Sequence, residues 1–107
     1  MQEIEGFKNI SVFKNDVKIA NILLHVEVKG VNKYGWVKDL FIDKEHRRLG
    51  IADYLMDKAF EHFKKIGLNE SRLEVWGSNR RALNLYTKIG YKLFEISEDS
   101  LGMNILV

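Results

Sequence analysis

Asp43–Tyr54 reads DKEHRRLGIADY and lies between an apolar run, Leu40-Phe41-Ile42, and a segment of helical periodicity. A strand therefore ends here, the chain turns on Gly50, and an amphipathic helix begins at Ile51. The first turn of a helix leaves backbone N–H groups without intrahelical acceptors. Those donors, with the positive end of the helix dipole, make a seat for a diphosphate or similar anion. Gly50 permits a sharp turn and close approach of a ligand to the backbone, and Ala52 keeps the next contact small. Arg47 and Arg48 add charge where phosphates would lie. No Gly-Lys-Ser/Thr follows, so this is not the nucleotide-triphosphate loop.

Beyond the junction, Ile51, Leu55, Ala59 and Phe63 recur at helical spacing, widened by Met56 and Phe60. Asp53, Asp57, Glu61, Lys64 and Lys65 fill the other side, which predicts a helix over 51–66 stopped by Gly67. Before it, Trp36–Ile42 is apolar enough on both sides for a central strand. From Ala20, alternation of Ile22, Leu24, Val26 and Val28 with Leu23, His25, Glu27 and Lys29 predicts a strand with one buried side. Gly30–Gly35 reads as a loop, and Ile10–Phe13 as a short strand followed by a turn at Asn15-Asp16. Downstream, Arg72–Trp76 is a strand with Leu73 and Val75 on one face and Glu74 and Trp76 on the other. A second helix is expected over 80–89, capped by Ser78 or Asn79 and ended by Gly90. Tyr91–Ile96 and Met103–Val107 read as a strand pair joined by a Glu-Asp-Ser turn.

The order is β-β-β-α-β-α-β-β. It implies an α/β (α+β) fold with a mixed sheet of about six strands and two main helices. The central strand-helix-strand unit supplies a right-handed crossover, with antiparallel hairpins on either side. No linker or repeat divides the chain, so residues 1–107 read as a single domain.

A formal net charge of +2 argues against a large nucleic-acid footprint. Cysteine is absent, which removes disulfides, thiolate metal sites and a cysteine nucleophile and suits a reducing cytoplasm. The first twenty residues contain no continuous apolar run, so no signal peptide is expected, and no stretch is long enough to span a membrane. His25, His46 and His62 lack ligand spacing, so no metal site is expected. Trp36 and Trp76 read as core or cleft walls.

Two segments together resemble the GNAT superfamily of acyl-CoA-dependent N-acetyltransferases. Arg47-Arg48-Leu49-Gly50-Ile51-Ala52 follows the strand LFID and matches the Gln/Arg-x-x-Gly-x-Gly/Ala motif. LEVWGSNRRALNLYTKIGY, from Leu73 to Tyr91, resembles the second motif through Asn79, Ala82, Leu85-Tyr86 and Gly90-Tyr91. The resemblance covers about residues 20–107 and implies acetyl-CoA as donor. It implies that the diphosphate sits on backbone N–H groups of residues 48–53, chiefly Leu49, Gly50, Ile51 and Ala52, with Arg47 and Arg48 beside it. The pantetheine arm would pair with the backbone at Phe41 and Ile42 and pass where the third and fourth strands splay. Asn79 would lie beside that arm, and Tyr86 would approach the thioester sulfur.

The chemistry this family performs needs few side chains. A neutral amine attacks the thioester carbonyl, so an ammonium acceptor must first lose a proton to a base. The oxyanion wants a backbone donor, such as an N–H near Ile42. The departing thiolate wants a proton, which Tyr86 could give. Glu74 is the leading base candidate, since a similar LEV…N segment in ribosomal-protein N-terminal acetyltransferases uses the Glu at this place. Asp39 is the weaker candidate, because alternation along its strand can carry it to the other face. The acceptor is expected to be a primary amine, on a protein or peptide N-terminus or a small molecule.

The family usually opens with a strand and one or two helices that wall the acceptor site. Here about nine residues precede the first readable strand, so that region is expected to be reduced or absent. Either the acceptor cleft is open, or a partner subunit completes the wall; pairing through open edge strands would give a homodimer. Two other functions compete: a module, or a subunit of a larger acetyltransferase assembly, that binds acyl-CoA without turnover, and a nucleic-acid binder using the arginine pairs 47–48 and 80–81.

Overall fold

The computed structural model describes residues 6–107. Six strands and two α-helices form the sequence β1 (Gly6–Lys14), β2 (Val17–Lys29), β3 (Asn32–Ile42), α1 (Ile51–Lys65), β4 (Glu70–Trp76), α2 (Arg80–Ile89), β5 (Lys92–Ile96) and β6 (Ser100–Leu106). They make one sheet in the order β1-β2-β3-β4-β6-β5, antiparallel except for the β3–β4 pair. The mixed α/β architecture expected from the periodicities is therefore present.

Local chemistry explains the turns. Asn15 and Asp16 both adopt positive φ, 50° and 65°, the backbone that a two-residue hairpin needs and that Asn and Asp tolerate. The expected loop over Gly30–Gly35 shrinks to Gly30-Val31, because β3 already pairs with β2 at Lys29↔Asn32. Asn32, Lys33 and Gly35 find strand partners in Lys29, Val28 and Val26 of β2. Gly35 also has a packing role: a Cβ there would lie 2.8 Å from the Phe63 ring.

Both connections, β3–α1–β4 and β4–α2–β5, move the same way across the sheet, and a right-handed crossover places both helices on one face. The core lies beneath them. Leu55, Met56, Ala59 and Phe63 of α1 are buried against Ile22 and Leu24 of β2, Val37 of β3 and Leu73 of β4. Burying each of the larger side chains contributes about 1.5–3 kcal/mol. Gly50 caps α1 in the left-handed region at φ 80°, and Asn79 caps α2 by accepting from Ala82 N at 3.1 Å. Among the described residues, no helix covers the opposite face.

One irregularity positions the site. Leu23 pairs with Asp39 but Leu24 pairs with Val37, so Lys38 is an extra residue that bends β3. The bulge shifts the alternation. Leu40 and Ile42 now pair opposite Ile22 and Ala20 on the helix face, while Asp39 and Phe41 move to the helix-free face. Parallel pairing with β4 is confined to Gly35↔Ser71, Trp36↔Arg72 and Val37↔Leu73. Beyond Val37 the two strands diverge and leave a gap in the sheet.

Candidate active site

The helix-face side of that gap opens into a cleft of about 830 Å³. Its floor is the end of β3, through Leu40 and Ile42. One wall is the Lys44–Arg48 loop and the first turn of α1, from Gly50 to Asp53. The other is α2, through Asn79, Ala82, Leu85 and Tyr86.

The loop is tied down at several points. Asp43 N donates to Ile19 O at 2.7 Å, and His46 N donates to Asp43 O at 2.9 Å. His46 Nδ1 meets Asp43 Oδ2 at 2.9 Å, and Arg47 Nε donates to Ile42 O at 3.1 Å. Arg48 sits at φ 66°, a left-handed backbone that costs a non-glycine residue about 1–2 kcal/mol. Gly50 O accepts from Tyr54 N at 3.0 Å, whereas the amides from Leu49 to Asp53 find no acceptor among the described residues. Gly50 to Asp53 line the cleft at the positive end of a 15-residue helix.

Across the cleft, Asn79 spends its Oδ1 on the α2 cap, and its Nδ2 has no partner among the described residues. Tyr86 is 9% exposed. Burial raises its phenol pKa, and the negative charge of Asp39 raises it further. Tyr86 is thus held protonated at neutral pH, with its edge against the Tyr91 ring at 5.7 Å.

The helix-free side of the gap carries Asp39 and Phe41 from β3 and Glu74 and Trp76 from β4. Glu74 pairs across from Gly102, is exposed, and makes no ion pair or hydrogen bond among the described residues. Asp39 and Glu74 share this face; without the bulge at Lys38, strand alternation would carry Asp39 to the other. Phe41 is 45% exposed and Trp76 64%, so Trp76 is an edge of the gap rather than core. Trp36, by contrast, is half-buried and donates Nε1–H to Glu27 at 3.2 Å.

Of the residues expected around a bound cofactor, Ile42, Arg47, Arg48, Gly50, Ile51, Ala52, Asn79 and Tyr86 line the cleft. Two side chains do not. Leu49 is 67% exposed and could contribute only its backbone, and the Phe41 side chain lies on the other face. Lys44, His46, Asp53, Arg81 and Lys88 line it as well, although none is among the side chains expected to contact a cofactor. For Arg81, Leu85 and Lys88 the signal was available as helical spacing along one face of α2. Among the described residues, no group of His, Asp or Glu could hold a metal ion, and no helix is long and apolar enough to cross a membrane.

Residues 5–91 match the sequence profile of the acetyltransferase (GNAT) family. The chain belongs to that family. Among curated GNAT relatives, N-alpha-acetyltransferase 20 of Dictyostelium discoideum is 37% identical over 86 residues, 72% of this chain and 49% of the relative. GCN5-related N-acetyltransferase 6, chloroplastic, of Arabidopsis thaliana is 28% identical over 86% of this chain and 32% of its own length. The chain thus spans about a third to a half of these relatives. The GNAT fold is matched by the PaiA N-acetyltransferase of Thermoplasma acidophilum in complex with coenzyme A, at TM-score 0.85 and 22% identity over 94% of this chain and 61% of that one. The ribosomal-protein-S18-alanine N-acetyltransferase of Escherichia coli superposes at TM-score 0.78 and 20% identity, covering 97% and 71%.

Proposed function

We propose that this chain is an acetyl-CoA-dependent N-acetyltransferase that acts on a primary amine, at a peptide N-terminus or on a small molecule, by direct attack in a ternary complex. The observation that carries the reading is one continuous cleft. It joins the unpartnered amides at the start of α1 to the β3–β4 gap and to the Tyr86 phenol. The coenzyme's diphosphate would lie on the amides of Leu49–Ala52, and its pantetheine arm would run along the backbone of Phe41 and Ile42 beside Asn79.

The thioester would then sit in the gap, reachable from both faces. Glu74, on the helix-free face, takes the proton of the acceptor ammonium, directly or through water. The amine nitrogen forms its bond to the acyl carbon, and a backbone N–H near Ile42 receives the oxyanion. As the carbon–sulfur bond breaks, the nitrogen releases its second proton to water, and Tyr86 donates its proton to the thiolate and regains one from solvent. The raised pKa of Tyr86 keeps that proton in place until sulfur charge develops. The absence of cysteine fits a cytoplasmic setting, and this chain offers no thiol for a cysteine-linked acyl-enzyme. Among the described residues the outer edges of β1 and β5 are unpaired, which would suit a homodimer.

The test is thiol release from acetyl-CoA with peptides of varied N-termini, polyamines and amino acids. Turnover is expected with at least one amine class. Glu74→Gln and Tyr86→Phe should each lower kcat by about a hundredfold while coenzyme affinity stays within about threefold. Coenzyme binding with no thiol release across the panel would leave an acyl-CoA-binding module instead.

A further inference from the structure

The cleft carries more positive charge than a diphosphate requires. Lys44, Arg47, Arg48, Arg81 and Lys88 line it against one carboxylate, Asp53. On the α1 side, the unpartnered amides, the helix dipole and Arg48 already match the roughly two negative charges of a diphosphate. Arg47 is committed through Nε to the Ile42 carbonyl. Arg81 and Lys88 stand apart from these groups, on the opposite wall. They lie about two turns apart on one face of α2, with Leu85 between them. Both are exposed, and neither pairs with a carboxylate among the described residues.

An Arg and a Lys on a helix are ordinarily a solvated surface. Arg80 illustrates that case, being exposed and outside the cleft. Arg81 and Lys88 differ in facing the same concavity as the free amides, where like charges raise the local concentration of anions. A ligand that satisfied the α1 wall alone would leave them unmatched. Coenzyme A carries a further phosphate, a monoester on the ribose 3′ oxygen, which holds nearly two charges at neutral pH. A guanidinium fork engages such a group through paired hydrogen bonds, and an ammonium engages it as a point charge.

We infer that Arg81 and Lys88 form a second phosphate seat on the α2 wall, which holds the 3′-phosphate of coenzyme A and selects it over 3′-dephospho-coenzyme A. This inference rests on the coenzyme reading above.

Calorimetric titration of the whole chain with both coenzymes tests it. Wild type is expected to bind the dephospho form about tenfold more weakly. Arg81→Ala and Lys88→Ala should each weaken coenzyme A binding about three- to fivefold and leave the dephospho form within about twofold, so the preference collapses. Arg80→Ala should change neither affinity. Equal binding of the two coenzymes by wild type overturns the seat and leaves the coenzyme reading standing. So does an equal loss for both ligands in Arg81→Ala, which would mark a general field. Failure of both coenzymes to bind at millimolar concentration overturns the seat and the coenzyme reading together.

Discussion

The Tyr91 hydroxyl lies 2.8 Å from Ser71 Oγ, and both groups are buried. The bond ties the start of β5 to β4 beneath α1, where Phe60 packs 6.2 Å from the Tyr91 ring. Tyr86 rests edge-on against that same ring. Burial pushes the Tyr91 phenol far above its ordinary value, the nearby Tyr86 adds to the rise, and only the Ser71 bond opposes it. Tyr91 is therefore a neutral structural tyrosine that fixes the ring proposed to act on sulfur.

Tyr91→Phe should lower unfolding stability by about 1–2 kcal/mol, because Ser71 Oγ is left buried without its partner. Chemical denaturation of the variant measures the loss. Tyr91→Phe combined with Ser71→Ala should recover part of it, since both polar partners are then gone. An undiminished denaturation midpoint in the single variant would contradict the role given to this pair.

Gly35 of β3 packs directly beneath Phe63 of α1. A methyl group there would meet the buried Phe63 ring at 2.8 Å, and a ring wedged in the core has little room to shift. Gly35→Ala should cost about 1–3 kcal/mol through overpacking. The companion Gly35→Ala/Phe63→Leu should be less destabilised than the sum of the two single changes, read from thermal or urea midpoints.

His62 on α1 has its pKa lowered, first by burial and then by the charges of Lys8 and Lys65. A histidine held below its unfolded value of 6.5 takes up its proton more readily in the unfolded chain. Its contribution to stability is therefore complete above that pH. It is lost as the pH falls from 6.5 through the lowered folded value. His62→Gln should flatten the fall in melting temperature between about pH 7 and pH 5. An unchanged slope would contradict the assignment.

Much of the fold was legible because periodicity and punctuation agreed. The α1 stripe, the alternation of β2, and the stops at Gly67 and Gly90 all reflect local chemistry that acts before tertiary contacts. α2 occupies the expected span because its Asn79 cap and Gly90 end both lie in the sequence. What could not be read were features set by neighbours. Nothing in Val37-Lys38-Asp39-Leu40 announces a bulge, yet that single extra residue decides which face Asp39 and Phe41 occupy. The first residues of β3 lack alternation because they pair with the polar end of β2. Within the cleft, the α1 wall was readable from Gly50 and the arginines. On the α2 wall, Arg80 and Arg81 are identical by composition, and only helix phase sends one inward.

The account rests on main-chain amides at the start of α1 receiving a coenzyme's diphosphate. At 107 residues the protein suits amide-resolved NMR, and a titration with coenzyme A tests the claim residue by residue. The account predicts the largest amide shifts at Gly50, Ile51, Ala52 and Asp53, with smaller ones at Ile42 and Asn79. Saturating coenzyme A that left the Gly50–Asp53 amides unmoved would contradict it.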